Sequence, residues 1–134
     1  MVLLNESVII ADKIFTLVKK WQYRDKICTI VEIKDNPKYP AVIYHNTETI
    51  PLFPCHNGYV QIKENKRLHI EDDLPIKTVQ IDWQGFRHFD DEPEDVYMIG
   101  FDSAHSWDTK ESKSFNFVKN RTERLADEMN RLGI

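Results

Sequence analysis

Apolar positions along this chain recur at two different spacings, and the change falls near residue 115. Beyond it, Phe115, Val118, Thr122, Leu125, Met129 and Leu132 follow one another at alternating intervals of three and four. Those intervals draw one apolar stripe along a helix, with Ser112 or Ser114 able to cap its start and Gly133 placed to end it. Before residue 115 the pattern is that of strands. Lys26–Ile33 and Ala41–Tyr44 are rich in β-formers and are separated by the turn residues Asp35–Asn36–Pro37. Pro51, Pro54 and Asn57–Gly58 mark a loop that releases into the alternating run Tyr59–Val60–Gln61–Ile62. Ile76, Val79 and Ile81 lead a further strand into Asp82–Trp83, and Val96–Phe101 reads as a buried strand.

The first segment fits two readings. From Ser7 to Trp21, Ile10, Ile14, Leu17, Val18 and Trp21 share one side at helical spacing, with Ser7 as N-cap. The same stretch is heavy in β-branched residues, which leaves a strand as the alternative. The pattern as a whole predicts one α+β domain over 1–134: a mainly antiparallel sheet, a C-terminal helix across one face and an N-terminal helix.

Composition adds exclusions. At 134 residues the chain supports one domain with a single core. A formal net charge of −4 disfavours binding duplex nucleic acid through a broad basic face, although a few arginines can still hold a small anion. Asp12 and Lys13 break the first apolar stretch, so no membrane span is expected, and the start lacks a signal-peptide pattern. A cytoplasmic setting is therefore expected, where Cys28 and Cys55 are thiols rather than a bridge. No cofactor motif is present: there is neither G-x-x-x-x-G-K nor G-x-G-x-x-G.

Three constellations could carry chemistry. Asp102, His105 and Asp108 follow the strand at three-residue intervals, and carboxylate plus imidazole serves both metal binding and acid–base work, with His56 or His88 as a further ligand. The structural alternative has Asp102 capping the following turn and His105 bonding backbone carbonyls. Cys55–His56 offers a thiol beside an imidazole, but sequence neighbours usually point apart, and a loop with Gly58 at positive φ accounts for the segment. Trp83–Gln84–Gly85–Phe86–Arg87–His88–Phe89 combines aromatics with one arginine. Trp83 and Trp107 could stack on a base while Arg87 forks onto a phosphate. The acidic run Asp90–Asp95 reads first as a solvated loop.

Three ordered pieces also resemble a family of small uncharacterised bacteriophage and prophage proteins. They are the cysteine followed by Gly58–Tyr59–Val60, the turn Trp83–Gln84–Gly85–Phe86, and Gly100–Phe101–Asp102–Ser103–Ala104–His105 with Asp108 and a later Leu125–Ala126 pair. The resemblance spans Trp21 to Leu132 and departs from the family at Trp83 and Gln84. It implies a phage context in a host cytoplasm, not an activity; by analogy with other short phage proteins it ranks a binding protein that counters host defence above an enzyme. On that reading a small nucleotide-like ligand is sequestered by Trp83, Arg87, Asp102, His105 and Trp107 in a homo-oligomer paired through its C-terminal helix, or a host defence protein is the partner. Two alternatives stand beside it. One is a metal-dependent hydrolase using Asp102, His105 and Asp108. The other is an acidic inhibitor presenting Asp90–Asp95 to a basic host enzyme.

Overall fold

The computed structural model of the protein describes residues 6–10, 13–34, 42–45, 48–51, 53–63, 79, 81–87, 96–105 and 108–134. Eight strands precede one helix: β1 (Glu6–Ile10), β2 (Lys13–Tyr23), β3 (Lys26–Ile33), β4 (Val42–His45), β5 (Glu48–Pro51), β6 (Cys55–Gln61), β7 (Trp83–Arg87), β8 (Val96–Phe101) and α1 (Phe115–Arg131). Six of the strands form an antiparallel sheet in the order β1-β2-β3-β6-β8-β7, and β4 pairs with β5 in a separate hairpin. The α+β architecture and the C-terminal helix on one sheet face are as the pattern predicts.

The N-terminal helix is not. Residues 6–10 and 13–23 are antiparallel strands, paired from Glu6 opposite Leu17 to Ile10 opposite Lys13. Val8, Ile9, Ile10, Ile14, Thr16 and Val18 are β-branched, and their χ1 restriction favours a pleated surface over a helix. The residues at helical spacing do not share one side: Leu17 packs in one core, Val18 and Trp21 in the other, on either side of a register shift between Leu17 and Lys19.

Period-two alternation then divides the central strands between two cores. Cys28 and Ile30 of β3, Val60 of β6 and Ile99 and Phe101 of β8 face α1, whose Val118, Leu125, Ala126 and Met129 are each fully buried against them. The helical stripe that could pair with a second copy is thus covered within the chain. Val31 and Ile33, Cys55 and Tyr59, and Met98 point to the opposite face, where they pack with Leu17 from β2 and Trp83 from β7. The sheet curls enough that β1 and β7, at opposite ends of the strand order, come within 8 Å of each other.

Two glycines set the close approaches. Gly58 lies opposite Phe101 in the β6–β8 register, and a Cβ there would strike the Thr122 hydroxyl and the Phe101 ring. Gly100 lies opposite Tyr59 and Trp83, and a Cβ there would strike the Tyr59 ring and the Gly58 carbonyl. Residues 55–61 are therefore strand rather than loop. Gly58 serves close approach to the helix, not a positive φ, and tertiary packing overrides the Asn57–Gly58 turn signal.

Candidate metal centre

The β7–β8 pairing continues one residue past Trp83, where the Asp82 N–H donates to the Gly100 carbonyl at 2.9 Å. Asp82 thus stands at the start of the edge strand, beside the end of β8. Asp102 follows the last residue of β8, and its N–H donates to Asp82 Oδ2 at 2.9 Å. Asp102 Oδ1 in turn accepts the Ala104 N–H at 2.9 Å, the turn-capping role anticipated for it. Ser103 and Lys113 anchor the loop below. The Ser103 hydroxyl donates to the His56 carbonyl at 2.8 Å, and buried Lys113 Nζ donates to the Ser103 carbonyl at 3.1 Å. Burial holds the Lys113 pKa below its ordinary value.

The His105 ring lies among carboxylates. Its Nδ1–H donates to Asp108 Oδ2 at 2.9 Å, and the same oxygen accepts the His105 backbone N–H at 2.8 Å. Ser112 holds the other Asp108 oxygen at 2.8 Å, so Asp108, nearly buried, is fixed from both sides. With Nδ1 engaged in this way, Nε2 faces Asp82 Oδ1 at 3.2 Å and Asp102 Oδ1 at 3.4 Å. Asp82, Asp102 and His105 each offer a ligand atom within 4.8 Å of the others, all half-buried.

Three carboxylates around one imidazole carry more negative charge than a protonated His105 could balance. Burial works against protonation of His105, but the charges of Asp102 and Asp82 and the bond to Asp108 outweigh it and raise its pKa. Burial, with the Asp102 charge added, raises that of Asp82 despite the bond from the Asp102 backbone.

The structure brings together part of the constellation read from the sequence. Asp102 and His105 come together. Asp108 lies on the other side of the imidazole, at Nδ1, away from the Asp82 and Asp102 carboxylates that face Nε2. His56 lies elsewhere, with Nδ1 2.8 Å from the Lys113 carbonyl and Nε2 3.6 Å from Glu32. Asp82 was missed. It lies 20 residues before Asp102, and only the antiparallel register brings the two together. The one sequence signal for it is a lone acid between Ile81 and Trp83 at a strand start.

Trp83 is half-buried and packs edge-on against Tyr59, with ring centroids 5.9 Å apart. Arg87 closes β7. Trp107, His88 and the acidic run 90–95 lie outside the described residues. No described helix is long and apolar enough to cross a membrane. Comparison of the chain with protein-family models, with curated proteins and with solved structures finds no match.

Proposed function

We propose that this protein binds a divalent cation of the zinc or manganese class through Asp82, Asp102 and His105, leaving a coordination position open for water. Such a centre supports hydrolysis of a small ester or amide. The observation that carries this reading is the position of His105 Nε2, 3.2 and 3.4 Å from two carboxylate oxygens. Metal–ligand bonds of about 2.0–2.2 Å in a tetrahedral arrangement separate neighbouring ligand atoms by about 3.3–3.6 Å. The spacing matches that edge, with one nitrogen and two oxygens as donors. Asp108 behind Nδ1 supplies the carboxylate that typically fixes the tautomer of a ligating histidine.

The same geometry admits a second use, favoured by the raised pKa of His105. A protonated imidazole would clamp the β8–α1 junction through three carboxylates, with no ion involved. Metal analysis separates the two. Protein purified without chelator, stripped with EDTA and re-titrated with zinc or manganese should regain one ion per chain and a higher thermal midpoint. Asp108→Asn should lower metal affinity about 10–100-fold while leaving the three ligands in place. Failure to retain or regain any ion, with the chain folded, leaves only the clamp. Turnover of a nitrophenyl ester that rises with metal loading and vanishes in Asp82→Asn would extend the reading to catalysis.

A further inference from the structure

The charges along α1 are unevenly matched. The helix carries three acids, and each is engaged. Glu123 meets Lys119 Nζ and the Trp21 indole N–H at 3.3 and 3.1 Å. Asp127 meets Arg24 at 2.7 Å, and Glu128 pairs with Arg131. Two bases are left over. Among the described residues neither Arg121 nor Arg124 meets a carboxylate, in a chain whose net charge is −4.

These two arginines share a face of the helix. Phe117, Arg121 and Arg124 stand at i, i+4 and i+7, with Asn120 between them, so their side chains are neighbours. Together they line a shallow surface depression of about 260 Å³. Arg121 is oriented from below, its guanidinium carbon 5.5 Å from the centre of the buried Phe101 ring. Stacking on an aromatic face restrains the guanidinium while its N–H groups stay available to an anion. Arg124 is exposed and touches no acid. Phe117 adds a half-exposed ring at the other end of the depression, and Asn120 adds an amide donor and acceptor.

We infer that Phe117, Asn120, Arg121 and Arg124 form a binding site for a phosphate ester of a nucleoside, a mononucleotide in chemical class, separate from the Asp82–Asp102–His105 centre. Two guanidinium forks suit the three oxygens of a phosphate monoester, which accept paired N–H bonds that a lone lysine would not supply. The phenyl ring suits the attached base, since stacking tolerates any base. The volume is below the range of about 300–1,000 Å³ of drug-sized pockets, which favours one nucleotide unit over a longer ligand.

The test is calorimetric titration of the full chain with adenosine 5′-monophosphate, adenosine and inorganic phosphate, all in EDTA so that no ion at the other centre contributes. The nucleotide should bind at least tenfold more tightly than either fragment. Arg124→Gln should weaken it about tenfold, the loss expected for one charge-assisted contact. Arg131→Gln removes the same charge from the same helix and should leave binding unchanged. Arg124 is exposed, so its variant folds as the parent does. Nucleotide binding no tighter than adenosine binding, or equal in Arg124→Gln and the parent, overturns the proposal. So does an equal loss in Arg131→Gln, which would reduce the effect to general electrostatics.

Discussion

At the scale of single residues, two buried polar atoms among the described residues go against the general satisfaction of interior groups. Thr29 Oγ1 and Asn57 Oδ1 find no hydrogen-bond partner, although Asn57 Nδ2 donates to the Tyr59 hydroxyl at 3.2 Å. Thr29 is fully buried on β3, directly opposite Tyr59. Leaving a buried hydroxyl unpaired costs about 1–3 kcal/mol. Thr29→Val keeps the branched shape and removes that cost. Urea unfolding should show a midpoint raised by the equivalent of about 1 kcal/mol at unchanged slope. A lowered midpoint would mean that the hydroxyl is satisfied in solution. The contrast with Asp108 is instructive, because there every oxygen is used. Sequence alone singles out Asp108 together with Asp102 and His105, yet says nothing of which ring nitrogen each carboxylate faces. Spacing cannot tell a ligand from the group that orients a ligand, since both need a carboxylate within reach of the imidazole.

At the scale of elements, the strands and helix that alternate cleanly were legible in the sequence. The central run 26–33 and the run 96–101 match β3 and β8. The helix begins at the N-cap Ser114, whose hydroxyl accepts the Phe117 N–H at 3.3 Å, and Gly133 follows its end with φ of 73°. What was not legible depends on neighbours distant in sequence. The strand character of residues 13–23 is stabilised by pairing to β1 and β3, and the strand start at Cys55 by packing of Gly58 beneath Thr122. Gly100 offers a sharp check on that packing. Alanine there would place its methyl group against the Gly58 carbonyl, a backbone atom that cannot rotate away. Gly100→Ala should destabilise the fold by about 2 kcal/mol or more. Because the substitution lies two residues before Asp102, loss of metal retention should accompany it. Unchanged stability would show that β6 and β8 can separate more freely than their register implies.

At the scale of the whole molecule, both cysteines report on the two cores. Burial pushes the Cys28 thiol up to about 12, helped by the charges of Glu123 and Asp127. Burial likewise pushes Cys55 up to about 12, against the opposing charge of Lys113. Each side of the sheet therefore holds one inert thiol. The sign of the pH effect follows. A thiol that titrates at its ordinary value of 9.0 in the unfolded chain loses its proton before the folded one does, so the unfolded chain binds fewer protons above that pH. The thiol contribution to stability is intact below pH 9 and declines toward pH 12, by at most about 1.4 kcal/mol per pH unit for each thiol. Denaturation midpoints measured from pH 8 to 11 should fall with that onset. Alkylation at pH 8 should proceed no faster than unfolding of the chain. Rapid alkylation of either cysteine in the folded state would contradict its burial.

The division of the sheet between two cores also has a kinetic side. β3, β6 and β8 each feed both clusters, so neither cluster can come apart without disrupting the strands of the other. Those three strands form a single cooperative unit, and small openings are left to the sheet edges. Asp82 starts one of those edges, whereas Asp102 follows a strand of the unit and His105 sits in the loop that leaves it. Release of β7 alone would carry Asp82 away and leave the other two in place. The centre can therefore be taken apart and rebuilt by movement of its edge strand, and an ion bound there would act as a latch on that strand, with the fold itself standing whether the latch is open or shut.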